Sequence, residues 1–271
     1  MTVNSINYPM VIPSLLCLAF YLLASLAALH RLLNSHSISW PLVSSAWIAM
    51  ALHAAGLGQE IVSTGLGQNL SLLNVASAVA LLISLVMSLI VQRFNGWILL
   101  PVVYGFAALL QIVSNLIPGQ YVLHLEQRPE LLMHISLALL AFSVLMIATL
   151  FTLLLAYLNY HLKARKRLGL PHLPPLMTVE TRVYQLILLG VVLLTLSIGS
   201  GVLFLDEMFA PDQRHKAVLT LLAWCVYTCL LWGHYRHGWR GKTLISLSLL
   251  GSVLLLLAYF GSRFLKEVLL S

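Results

Sequence analysis

Long runs of apolar residues, broken only by charged, proline or glycine punctuation, take up almost all of the 271-residue chain. At ~1.5 Å per residue against a ~30 Å hydrocarbon layer, a run of about 20 apolar residues is a membrane-spanning helix. Eight such runs fall at roughly 11–30, 41–61, 70–92, 97–116, 130–158, 183–205, 217–235 and 243–262. They predict an all-α fold: a polytopic transmembrane helical bundle of about eight spans, forming one integral-membrane domain over 1–271. The first run follows the uncharged start MTVNSINYPM, without the basic segment of a signal peptide, and so reads as a helix.

Polar side chains inside a span are costly and face the bundle interior or a cavity, so the few present here are the informative ones. His53 shares a helical face with Ser45, Ala49 and Gly56. His134 lies about one turn into the fifth run, with Ala138, Ala141 and Ala148 below it on the same face. A stripe of small residues admits either a neighbouring helix or a broad flat group. Each histidine therefore has two readings. It is a hydrogen-bonded contact between helices, or it is an axial ligand to a haem iron, His134 with His53 as partner. The segment GQNLSLLNVASA, residues 67–78, brings Asn69, Ser71, Asn74 and Ser77 to the start of the third run, where they line a pocket mouth or cap the helix. The stretch LLWGHYRHGWRGK, residues 230–242, ends the seventh run with His234 and His237 among aromatics and cations. It reads as an interfacial anchor, or as a ligand held at the bilayer edge.

Composition agrees with the pattern: 60% hydrophobic residues, 8% charged residues and a mean hydropathy of +0.95 exclude a soluble domain. Sidedness follows from charge. The loops after the first, third, fifth and seventh runs hold ten of the fifteen cations, among them Arg31, Arg93, Lys163, Arg182, Arg236 and Lys242, with Glu180 as their only acid. The other face holds five cations and seven acids, so the basic loops belong in the cytoplasm and both termini on the outer, periplasmic side. That topology accounts for the net charge of +7 and for the KARKR run, and it leaves no role for nucleic acid. The three cysteines, Cys17, Cys225 and Cys229, form no C-x-x-C pair, and Cys225 and Cys229, one turn apart, read as small packing residues. All eight carboxylates sit at span edges or beyond, against a proton-coupled transporter, and no nucleophile–base motif is present.

Four segments in order, LLMHISLALLAF, PPLMTVETRVYQLILLGVVLLTLSIGSG, KAVLTLLAWCVYTCLLWGHYRHGWRGK and LLLLAYFGSRFL, resemble the membrane core of the CcsA/CcmC/HemX-type cytochrome c assembly family. The similarity is strongest over 119–265 and extends to GQNLSLLN and the helix of His53. The resemblance implies a multi-pass protein of the bacterial inner membrane that binds or handles haem b, meeting haem and other cytochrome-assembly proteins in the bilayer. It puts His134 at the position of an external haem-iron ligand, with His53 as its possible partner. His234 is the nearest match to a haem-contacting histidine on the other side, although Trp232 takes the in-register place. The W-x-W-D loop of haem exporters is replaced by LDEMFAPDQRHKA, in which only Lys216 and Trp224 keep the spacing. The second external histidine is replaced near Leu270. These departures imply haem handling without full ligase activity. The alternative is a HemX-like, cofactor-free scaffold or regulator acting through the loop HLKARKRLGLPHLPPLMTVETR, followed by an accessory to a small-solute transporter.

Overall fold

A computed structural model describes residues 8–34, 40–62, 67–94, 96–117, 122–123, 128–164, 174–204 and 214–261. The expected positions of the termini, the acidic loop at 206–212 and the basic run at 165–167 lie outside the described residues. Within them stand eight long helices: α1 (Tyr8–Asn34), α2 (Trp40–Val62), α3 (Leu72–Phe94), α4 (Leu100–Leu116), α5 (Pro129–Lys163), α6 (Leu176–Phe204), α7 (Arg214–His237) and α8 (Lys242–Leu256). A 3-10 turn (Gly96–Leu99) leads into α4, and a π-helical segment (Leu257–Gly261) extends α8. Every expected run is a helix. Seven are long and apolar enough to cross a membrane, and α2, 23 residues long, is less apolar because it carries His53, Gln59 and Glu60. The protein is a polytopic helical membrane bundle.

The chain divides into two compact units, Met1–His124 and Leu125–Ser271. In the first, α1 packs on α2 and α4, and α3 on α2 and α4. The buried seam is built of small and aromatic side chains, including Tyr21, Ala24, Ala49, Tyr104 and Ala107. Such seams are what lipid demands, because tails are as apolar as leucine and close packing, rather than apolar burial, favours helix association. Polar ties supplement the packing: Ser25 Oγ donates to the Pro101 carbonyl at 2.9 Å, joining α1 to α4. A short antiparallel ladder pairs β1 (Gln68–Asn69) with β2 (Val122–Leu123), Gln68 opposite Leu123 and Asn69 opposite Val122. Leu23, Leu26 and Leu109 point outward, as residues solvated by lipid should.

In the second unit α5 is the central element, packed against α6 and α8. Pro129 opens it at a position whose missing N–H costs nothing in a first helical turn. Where α6 crosses α5, a Cβ on Gly190 would stand 2.5 Å from Leu145, so glycine is what lets the helices approach. Thr152 Oγ1 and Ser248 Oγ, 3.0 Å apart, tie α5 to α8, and Phe142 meets the rings of Tyr259 and Phe260. Gly251 of α8 makes room for the Tyr227 ring of α7, and Trp224 Nε1 donates to Thr195 Oγ1 of α6 at 2.8 Å. Cys17 is buried. Cys225 and Cys229 are exposed on the outer face of α7 and do not serve as packing residues.

Candidate functional site

His134 stands early in α5, and the antiparallel neighbour α6 presents its small residues there. Ser197, Ser200 and Gly201 are buried, and their short side chains leave the backbone of α6 open to a facing group. The His134 Nδ1 lies 2.9 Å from the Ser197 carbonyl oxygen and 3.2 Å from Ser200 Oγ, which itself donates to the same carbonyl at 2.8 Å. A carbonyl only accepts, so Nδ1 carries the hydrogen and Nε2 keeps its lone pair. Among the described residues nothing hydrogen-bonds to that Nε2. This is the tautomer that iron-binding histidines adopt: one nitrogen held by a backbone carbonyl, the other free to bind.

The small residues below His134 have an occupant. Ala138, Ala141 and Ala148 are buried on the face that also carries Leu145, and Leu145 is the residue that Gly190 of α6 lies against. A helix, and not a flat group, fills the stripe. What stays open near His134 is its Nε2 end.

His53 belongs to the first unit, His134 to the second. It is 2% exposed, and both of its nitrogens are engaged: Nδ1 lies 3.1 Å from the Tyr21 hydroxyl on α1, Nε2 2.6 Å from Ser77 Oγ on α3. The Tyr21 ring meets the imidazole edge-on, with centroids 5.6 Å apart. His53 thus joins three helices. Binding iron would require releasing one of its two partners. Tyr21, one aromatic in an apolar run, gave no signal of this role in the sequence. Ser77 belongs to the polar segment at 67–78, whose other members hold the start of α3. Ser71 Oγ accepts from the Asn74 N–H at 3.3 Å as a helix cap, and Asn74 Nδ2 donates to the Asn69 carbonyl at 3.0 Å.

His234, near the end of α7, is also more than an anchor. Its ring stacks on Tyr184 of α6 with centroids 3.5 Å apart, and its Nδ1 donates to the Trp239 carbonyl at 3.2 Å. The Tyr184 hydroxyl donates to the same carbonyl. Trp239 folds back because Gly238 ends α7 at φ +66° and because Gly233 lacks the Cβ that would strike the indole. His237, by contrast, is exposed beside Trp232. Beside His234 opens a cavity of about 250 Å³ lined by Glu180, Thr181, Tyr184, Gln185 and Arg240. No cluster of three or more His, Cys, Asp or Glu that would suit a bare metal ion occurs among the described residues.

Residues 40–270, which carry His53, His134 and His234, match the Cytochrome C assembly protein family. The chain belongs to the cytochrome c assembly protein family. Within this family it is 43% identical over 228 residues to Inner membrane protein YpjD of Escherichia coli (strain K12), covering 84% of this chain and 87% of YpjD. It is 25% identical over 178 residues to Cytochrome c biogenesis protein CcsA of Prochlorococcus marinus (strain MIT 9215), covering 58% of this chain and 56% of CcsA. Protein HemX of Brevibacillus brevis is 28% identical over 179 residues, 62% of this chain and 64% of that protein. No solved structure matches. The family match begins at residue 40, so Tyr21, the partner of His53 on α1, precedes it.

Proposed function

We propose that this member of the cytochrome c assembly protein family binds or hands on haem b in the bacterial inner membrane without attaching it covalently, and that His134 would hold its iron. The observation that carries the reading is the bond from His134 Nδ1 to the Ser197 carbonyl, because it fixes the ring and directs an unprotonated Nε2 away from α6. When bound, haem iron supplies redox and ligand-exchange chemistry. The chain's own part is to hold the imidazole in one tautomer and orientation. His53 fits a ligand role less readily, since both nitrogens are already bonded and binding iron would require losing Tyr21 or Ser77. The cavity beside His234 is smaller than the ~300–1,000 Å³ usual for drug-sized ligands, which argues against a haem-binding role for His234.

The lack of ligase activity rests on the sequence LDEMFAPDQRHKA, which replaces the W-x-W-D loop, and on the missing histidine near Leu270. The sidedness belongs to the same proposal: the ten-to-five cation asymmetry orients the basic loops inward and both termini outward. The inner-membrane location accords with the name of the relative YpjD.

The competing reading, a cofactor-free scaffold, draws support from the same hydrogen bonds, which suffice to make each histidine a contact between helices. The absorption spectrum of protein purified from haem-replete cells separates the two. A Soret band that His134→Ala weakens supports haem binding. A colourless protein supports the scaffold.

A further inference from the structure

We propose that the cavity between the first turns of α6 and the last turn of α7 binds the headgroup of an aminophospholipid, with its primary ammonium at Glu180 and its phosphate at Arg240. The inference is independent of the haem reading.

The carboxylate is the first argument. Glu180 is 7% exposed, one turn into α6, and one oxygen accepts the Gly241 N–H at 3.3 Å. Its other oxygen accepts no hydrogen bond from any described residue, yet Glu180 lines the cavity. That second oxygen opens on the cavity, where it can accept from a cationic donor in a charge-assisted hydrogen bond. Arg240 lines the same cavity, and among the described residues the two form no ion pair with each other. Opposite charges held apart across about 250 Å³ are the complement of a small zwitterion.

The walls are fixed before any ligand arrives. The Trp239 carbonyl takes hydrogen bonds from both His234 and Tyr184, whose rings stack. Gln185 Oε1 is held by Arg182 Nη1 at 2.6 Å, which turns its amide nitrogen into a further available donor. The surroundings point to a lipid. The cavity lies where the apolar helices Leu176–Phe204 and Arg214–His237 begin and end, at the level where a bilayer carries its headgroups. Met177, Leu188 and Tyr235, on its rim, are 56%, 43% and 71% exposed, and offer acyl chains an apolar surface beside the polar pocket.

The test is native mass spectrometry of the full-length protein in detergent, titrated separately with short-chain phosphatidylethanolamine, phosphatidylcholine, phosphatidylglycerol and soluble phosphoethanolamine. The proposal expects the ethanolamine lipid to bind most tightly, because trimethylammonium donates no hydrogen bond and glycerol carries no charge. Glu180→Gln, whose side-chain oxygen still accepts from Gly241, should lower affinity for that lipid about tenfold or more and leave the glycerol lipid unaffected. Arg240→Gln, at an exposed position, should weaken both and decides the matter if the Glu180 variant misfolds. Equal binding of the three lipids, or undiminished ethanolamine-lipid binding in the folded variants, overturns the proposal. Soluble phosphoethanolamine binding as tightly as the lipid also overturns it, in favour of a water-borne solute.

Discussion

The imidazole of His134 on α5 and the backbone carbonyl of Ser197 on α6 meet at 2.9 Å, in the helix pair whose approach Gly190 permits further along. Structure and candidate chemistry therefore share one interface. Anything that widens it should disturb both.

Gly190→Val supplies the most local test of that coupling. The new Cβ would arrive 2.5 Å from Leu145, and overpacking of this kind costs about 1–3 kcal/mol. Unfolding of the purified protein in mixed micelles should show that loss, and Leu145→Ala in the same chain should recover part of it. Full stability in the single variant would mean that α5 and α6 do not approach as described.

In the first unit, His53 should behave as a bonded junction of three helices. His53→Ala and Tyr21→Phe each remove the same contact, worth about 1 kcal/mol in a membrane. A double-mutant cycle read by unfolding should be non-additive by that amount. Strict additivity would remove the Tyr21–His53 bond from the account.

Much of this was legible in the sequence. All eight helices fall on the apolar runs, because lipid forces every backbone group into a helical hydrogen bond and the pattern has little freedom. The largest error was the start of α6, expected near 183 and found at Leu176. The charges of Glu180 and Arg182 suggest a loop, but the helix carries both: one Glu180 oxygen accepts the Gly241 N–H, and Arg182 Nη1 donates to Gln185 Oε1. His53 and His134 stood out because polar residues are rare in spans. Their partners did not, since Tyr21, Ser197 and Ser200 are unremarkable until packing brings them across from another helix. The stripe under His134 is buried, and no one-dimensional pattern chooses between a helix and a flat ligand as its cover.

Topology gives a prediction independent of side-chain detail. A reporter active only outside the cytoplasm should work when fused after Ser271, whereas one inserted near Gly169, beside the basic run, should behave as cytoplasmic. The reverse pattern would invert the assignment of faces.

The loop LDEMFAPDQRHKA carries no tryptophan, so under the proposed function overproduction should not restore covalent cytochrome c in cells without their own assembly machinery. Haem-stained cytochrome c in membranes from that background would show ligase activity and contradict the proposal.

The central claim is that His134 Nε2 binds haem iron, and chemical rescue tests it most directly. Protein purified with haem should show a Soret band and visible bands that His134→Ala weakens or broadens, while removal of its bond to Ser197 costs only about 1 kcal/mol of stability. Free imidazole added to the folded His134→Ala protein should restore the wild-type spectrum by filling the vacated ligand position, and His237→Ala, at an exposed site, should leave the spectrum unchanged. A wild-type protein that carries no haem, or a His134→Ala protein whose spectrum matches wild type without imidazole, would contradict the account.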